Sequence, residues 1–254
     1  MPASCPPALR RRVAASSLPV LQGAVLFLAL VLGGALPASA DHETIVKEHQ
    51  RFSPYGKWNG YKVFLSAPRH KDSRQRGECL GDGYEENING RRFSKHGADG
   101  RYYYEQPNDT NKNRNLRGRG YRVTVSRNTR DNGFLQNRNT SENWGSDVHL
   151  VVHTNALNGC PSGTNYVLTM YRSDRNRSQM LATQVRQKLD PVVPNGSNQW
   201  SAGHAELFTK ATHVAYLELA FHDNRNAQRW IRDYSPRSGW RIGWAIDARL
   251  GNPR

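Results

Sequence analysis

Two histidines in this chain stand where apolar, strand-like runs give way to loops, and a carboxylate stands inside a third such run. His153 closes the run Val148-His149-Leu150-Val151-Val152-His153 and is followed by Thr154-Asn155-Ala156. His70 follows Val63-Phe64-Leu65-Ser66-Ala67-Pro68-Arg69. Glu218 lies within Val214-Ala215-Tyr216-Leu217-Glu218-Leu219-Ala220-Phe221. Strand ends are where α/β folds build their sites. Imidazoles and carboxylates are the usual ligands of catalytic zinc, which takes three protein groups and leaves one position to water. The metal lowers the pKa of that water to about 7 and polarises a carbonyl. A nearby carboxylate that does not bind the metal moves the proton. Glu85 or Glu86, at a helix start, can reach back toward the same edge. Burial of Glu218 among apolar neighbours favours its protonated form, which suits a group that must pick up a proton. No local HExxH pattern ties these residues together, so their meeting depends on the fold. His149 shares a strand face with His153, but four residues of strand separate them by roughly 13 Å. It therefore reads as a satisfied structural histidine.

The elements that must position these groups follow from periodicity. Lys62 to Ser66 reads as the first strand, with a Gly- and charge-rich loop after it from Lys71 to Gly83. A helix is expected from Tyr84 or Glu85 to about Gly97. Ala98 to Asn115, with Tyr102-Tyr103-Tyr104, reads as a long excursion. Tyr121 to Ser126 alternates as a strand, and Asp131 to Trp144 reads as a short helix with Leu135 facing inward. Val148 to Val152 has the continuous apolar character of a central strand covered on both faces. Thr164 to Tyr171 and Val214 to Phe221 are further strands. In Ser178 to Leu189, Leu181, Val185 and Leu189 recur at helical spacing, with Pro191 just beyond. Ile242, Ala245, Ile246 and Leu250 mark a closing helix. Strands alternating with helices predict a single α/β domain, its central β-sheet mostly parallel and flanked by helices on both faces.

Residues 1–40 read as a secretory signal peptide: Arg10, Arg11 and Arg12, then an apolar core from Val20 to Leu32, then Ala38-Ser39-Ala40 before a cut at Asp41. Residues 41–60 are polar and read as an N-terminal arm, and 61–254 as the domain, with the insertion near 97–115. The full chain carries a net charge of +15, and losing those three arginines leaves +12. A cationic exported protein favours polyanionic partners, of which anionic cell-wall polymers suit its compartment best. Cys5 leaves with the signal, so Cys79 and Cys160 are expected to pair as a disulfide between two loops that flank the site.

The segments resemble the zinc-dependent N-acetylmuramoyl-L-alanine amidases, a family of peptidoglycan hydrolases of amidase type 3. Ala67-Pro68-Arg69-His70 resembles the family's first strand end. Glu85 with Asn89 resembles its helix start, and Tyr121-Arg122-Val123-Thr124-Val125-Ser126-Arg127 its third motif. Arg138 and Asn143 fall where an Arg and an Asn commonly follow. Ser146 to Ala156 is the best-matching segment, and Leu217-Glu218-Leu219-Ala220-Phe221-His222-Asp223-Asn224 the next. The resemblance implies that His70, Glu85 and His153 bind Zn2+, with Glu86 the alternative to Glu85, and that Glu218 is the catalytic acid/base. It implies cleavage of the amide between N-acetylmuramic acid and the L-alanine of the stem peptide. Asn155, Arg127 and His222 are candidate substrate contacts. Three positions depart from the pattern: Arg69 and Lys71 replace two glycines beside the first ligand, and Ala220 replaces a third. The expected protein is a secreted monomer acting on peptidoglycan, with no nucleic-acid partner and no membrane association after cleavage. Two other readings are an amidase-like domain that binds wall material without turnover, motivated by the altered loop at His70, and a secreted cationic nucleic-acid binder.

Overall fold

Side chains along a strand point alternately to opposite faces, and here the alternation sorts four strands onto one sheet. Val63, Leu65, Val123, Val125, Val148, Leu150, Val152, Ala215, Leu217 and Leu219 all enter one buried apolar cluster. Their neighbours Phe64, Thr124, His149, Val151, Tyr216 and Glu218 therefore face the other way. A computed structural model of the protein describes residues 49–68, 86–99, 115–126, 133–157 and 162–251. All of them fall within one compact unit, Ser39–Arg254.

The strands are β1 (His49–Phe52), β2 (Lys62–Ser66), β3 (Arg122–Ser126), β4 (Val148–Asn155), β5 (Val167–Tyr171), β6 (Ser197–Ser201) and β7 (His213–Phe221). They form a seven-stranded sheet in the order β1-β3-β2-β4-β7-β5-β6. β3, β2, β4 and β7 are mutually parallel along that order. β1 runs antiparallel to β3, and the parallel pair β5–β6 joins β7 antiparallel. The mostly parallel α/β sheet expected from the sequence is thus present. β4 and β7 are buried along nearly their whole length, in keeping with their mainly apolar sequences.

The helices are α1 (Glu86–Asp99), α2 (Phe134–Trp144), α3 (Asn176–Leu189), α4 (Arg225–Arg229), α5 (Ser235–Ser238) and α6 (Arg241–Leu250), with a π-helical turn at Trp230–Tyr234. Phe93 of α1, Leu181, Val185 and Leu189 of α3, and Ile242, Ala245 and Ile246 of α6 pack into the larger cluster. On the opposite face, Phe134 of α2 and Leu207 of a 3-10 turn, Ala205–Phe208, cover Val151, Val214 and Tyr216. Arg119, Tyr121 and Asp247 tie α6 to the chain entering β3. Tyr121 Oη donates to Asp247 Oδ1 at 2.5 Å, and Arg119 Nη1 pairs with Asp247 Oδ2.

Some boundaries differ from the sequence expectation for physical reasons. His49–Phe52 lies in the segment read as an arm, yet it completes the sheet by pairing with β3. The helix expected to end at about Gly97 runs to Asp99. Gly97 does not end the helix; it lets α1 lie against its neighbours, since a Cβ there would stand 2.8 Å from the Gly239 carbonyl oxygen. Leu135 is 60% exposed rather than inward-facing. The inward stripe of α2 is polar instead: Asn137, Thr140 and Ser141. Among the described residues no helix is long and apolar enough to cross a membrane.

Candidate active site

The order β2-β4-β7 sets three adjacent parallel strands side by side, so their carboxyl ends open at one sheet edge. His153 and Glu218 are direct partners across β4 and β7. Being in register, they lie on the same face. His153 Nδ1 stands 3.7 Å from Glu218 Oε2, and both side chains are almost wholly buried. Just past this pair the register shifts, with one more residue between Glu218 and Phe221 on β7 than between His153 and Asn155 on β4, which re-aims the end of β7. The chain leaves β2 through Ala67 and Pro68 at this same edge.

Helix α1 is held against β4 at one point of near-contact. A Cβ on Gly90 would stand 2.5 Å from the carbonyl oxygen of Val152, the residue before His153. Only glycine lets the first turns of α1 approach this closely. The helix opens at Glu86.

Aromatic side chains wall His153. The rings of Phe134 and Tyr216 each lie 5.8 Å from its imidazole, centroid to centroid. His204 fills the space between them, 4.6 Å from Phe134 and 4.3 Å from Tyr216. The sequence reading singled out none of these three. Tyr216 was within reach, because it lies two residues before Glu218 and period-two alternation puts both on one face. Phe134 and His204 arrive only through tertiary packing.

Deeper on the same face, His149 Nε2 is hydrogen-bonded to Glu206 Oε2 at 2.7 Å, and both side chains are fully buried. Phe64 stacks on the imidazole at 5.2 Å. His149 is thus the structural histidine that its spacing implied. Under the exit of β2, His49 Nε2 lies 3.2 Å from Asn137 Oδ1, and Asn137 Nδ2 donates to Ser66 Oγ at 2.7 Å. Ser126 Oγ accepts from Ala67 N at 2.7 Å. This network fixes the exit of β2 at Ser66 and Ala67.

At the exits of β4 and β7, His222 Nδ1 and Thr154 Oγ1 lie 3.0 Å apart. Asn155 Oδ1 accepts from Ala156 N, and its backbone oxygen accepts from His222 N. Asp223 Oδ2 accepts from Leu157 N. Of the residues expected at the site, the structure pairs His153 with Glu218 and places Asn155 and His222 at the exits of the same two strands, with the His222 imidazole on Thr154. His70, Glu85, Arg127, Cys79, Cys160 and the Tyr102-Tyr103-Tyr104 run lie outside the described residues. Among the described residues no three His, Cys, Asp or Glu side chains converge as a complete metal-binding group.

The histidine and carboxylate face each other at the carboxyl edge of the parallel strands, where open α/β sheets bind their ligands. The profile of the family Amidase_3, N-acetylmuramoyl-L-alanine amidase, matches residues 103–246. The chain belongs to that family. The fold is shared with the N-acetylmuramoyl-L-alanine amidase of Clostridium difficile 630, at 16% identity over 77% of this chain and 100% of that one, with a TM-score of 0.58. It is equally similar to the amidase AmiC2 of Nostoc punctiforme, at 16% identity over 78% and 100% of the two chains, TM-score 0.58. The CwlD amidase of Clostridioides difficile, solved in complex with the GerS lipoprotein, aligns at 15% identity over 76% and 100%, TM-score 0.59. No curated protein matches the chain.

Proposed function

We propose that this protein is an exported, zinc-dependent amidase that hydrolyses the bond between the lactyl group of N-acetylmuramic acid and the L-alanine of the stem peptide in peptidoglycan. Family membership supports the reaction class. The observation that carries the catalytic reading is the buried, in-register facing of His153 and Glu218 at 3.7 Å.

The donor chemistry fits zinc. An imidazole at a strand end, a second one expected at His70 and a carboxylate from Glu85, or from Glu86, make the two-histidine, one-carboxylate set that catalytic zinc takes. When bound there, zinc polarises the scissile carbonyl and makes a water acidic enough to react near neutral pH. His153 is locked for ligation by Phe134 and Tyr216, which leave its ring little freedom to turn. Asn137 and Ser126 hold the exit of β2 at Ser66 and Ala67. Gly90 seats the helix that presents the acidic ligand.

Glu218 is the proton carrier in this reading. Its carboxylate accepts a proton from the attacking water as the hydroxyl adds to the lactyl carbonyl carbon. It then delivers that proton to the alanine nitrogen as the carbon–nitrogen bond breaks. Burial beside apolar neighbours excludes competing solvent from this transfer. Asn155, half-buried at the strand exit, together with His222 and Arg127, is the candidate set for substrate contact.

Export fits the substrate: residues 1–40 act as a secretory signal, and the mature chain works at the cell wall as a cationic monomer. A Cys79–Cys160 disulfide joins the loops beside the site. The test is mass spectrometry of purified wall digested by the protein. Release of free stem peptides beginning with L-alanine supports the reading. Intact wall, or cleavage at another bond, refutes it.

A further inference from the structure

The face of the sheet that carries Glu218 does not end at β7. Phe221, the Cα partner of Asn155 at the end of β7, lies 4.8 Å from the ring of Tyr166, edge to face. Tyr166 in turn lies 6.3 Å from Trp200 on β6, at 67°. Register places Trp200 on the same face as the site. It pairs with Met170, which pairs with Tyr216, and Met170 packs in the cluster that contains Tyr216. Its neighbour Gln199 turns to the other face, where it meets Thr183 of α3 at 3.0 Å. The result is an aromatic row that starts buried at the active-site edge and ends on an outer strand, with Trp200 50% exposed. Two strand spacings separate β7 from β6, about 10 Å.

The strand that carries the end of that row is itself neutral. β6 reads Ser-Asn-Gln-Trp-Ser, without one charged residue in a chain of net charge +15. Aromatic faces beside hydroxyls and amides match a pyranose ring, whose C–H face is apolar and whose rim donates and accepts hydrogen bonds. A stem peptide carries carboxylates and would call for cations that β6 does not offer. We propose that Tyr166 and Trp200, backed by the buried Phe221, form a shelf that stacks the sugar rings of a neutral β-linked hexosamine oligosaccharide. Resting on the amidase reading, the shelf guides the glycan strand across the sheet so that one lactyl amide reaches Glu218. Phe221 is the buried root, Tyr166 the inner step and Trp200 the outer platform.

The probe is a soluble β-1,4-linked N-acetylglucosamine tetramer, which has no stem peptide, titrated calorimetrically into the whole protein. Stacking on an aromatic platform predicts that Trp200→Ala and Trp200→Gln each weaken binding at least tenfold, while Trp200→Phe keeps most of it. Met180→Ala, a similarly exposed apolar side chain on α3, should bind as the unaltered protein does. Circular dichroism checks that each variant is folded; the glutamine variant preserves a polar edge strand if the alanine variant misfolds. The shelf is overturned if the unaltered protein does not bind the tetramer, or if both Trp200→Ala and Trp200→Gln bind it within twofold of normal. It is also overturned if these variants lose affinity for a sugar-free stem peptide instead. Release of stem peptide from wall, measured in parallel, separates the two ideas. Sugar binding through Trp200 without any release refutes the amidase and leaves the shelf. Release together with sugar binding indifferent to Trp200 refutes the shelf alone.

Discussion

His153 on β4 and Glu218 on β7 are strand partners, with an imidazole nitrogen 3.7 Å from a carboxylate oxygen in a nearly sealed environment. That separation lies outside direct hydrogen-bond range and leaves room for both groups to act on one reacting centre. Glu218→Gln keeps the shape of the side chain and removes its ability to carry a proton. Turnover on muropeptide should fall by a factor of about 100 to 10,000, while bound zinc is retained. A variant that still turns over at the normal rate would remove Glu218 from the mechanism.

Gly90 offers a test of how α1 is placed. In an open helix position, Gly→Ala raises stability by roughly 0.5–1 kcal/mol. Here the added methyl would meet the Val152 carbonyl oxygen at 2.5 Å, so the backbone must move. Overpacking of this kind costs about 1–3 kcal/mol. Gly90→Ala should therefore lower the melting temperature and, by shifting α1 away from His153, weaken zinc binding. A melting temperature above that of the unaltered protein would show that the helix is not in this contact.

The buried Arg119–Asp247 pair, joined by Tyr121, links α6 to the start of β3. Removing one partner of such a pair leaves an uncompensated charge in the interior. Asp247→Ala should cost about 3–5 kcal/mol in urea unfolding. A loss below 1 kcal/mol would mean that the pair is solvated in solution.

His213, at the start of β7, has its pKa pushed down from 6.5 to about 4, first by burial and then by Arg249 and Arg177. Its Nδ1 has no hydrogen-bond partner among the described residues. The folded state thus holds it neutral, while the unfolded chain takes up a proton below pH 6.5. Stability should fall as pH drops from 6.5 toward 4, by at most about 3 kcal/mol from this residue, and be unaffected by it above pH 7. In His213→Leu that part of the slope should vanish. An unchanged slope in thermal melts at pH 7, 6, 5 and 4 would contradict this.

The parts of the fold legible in the sequence are those whose pattern and burial agree. β4 and β7 announce themselves because a strand covered on both faces must be apolar throughout. α3 does so through Leu181, Val185 and Leu189. β1 and β6 carry no such pattern: His-Gln-Arg-Phe and Ser-Asn-Gln-Trp-Ser are edge strands, formed because β3 and β5 offer them backbone partners. The inward stripe of α2 is polar because it meets Ser66 and His49, which a reading of Leu135 as an anchor could not anticipate. At the site, His153 and Glu218 were legible because a titratable group inside an apolar strand is conspicuous. Their aromatic walls were not, since Phe134 and His204 come from segments distant in sequence and meet only on the folded sheet.

Metal analysis of three purified proteins tests the centre of this account most directly. The unaltered chain and Glu218→Gln should each carry close to one zinc per molecule, and His153→Ala, though folded, should carry almost none. Zinc retained in folded His153→Ala, or absent from all three after loading, would contradict the account.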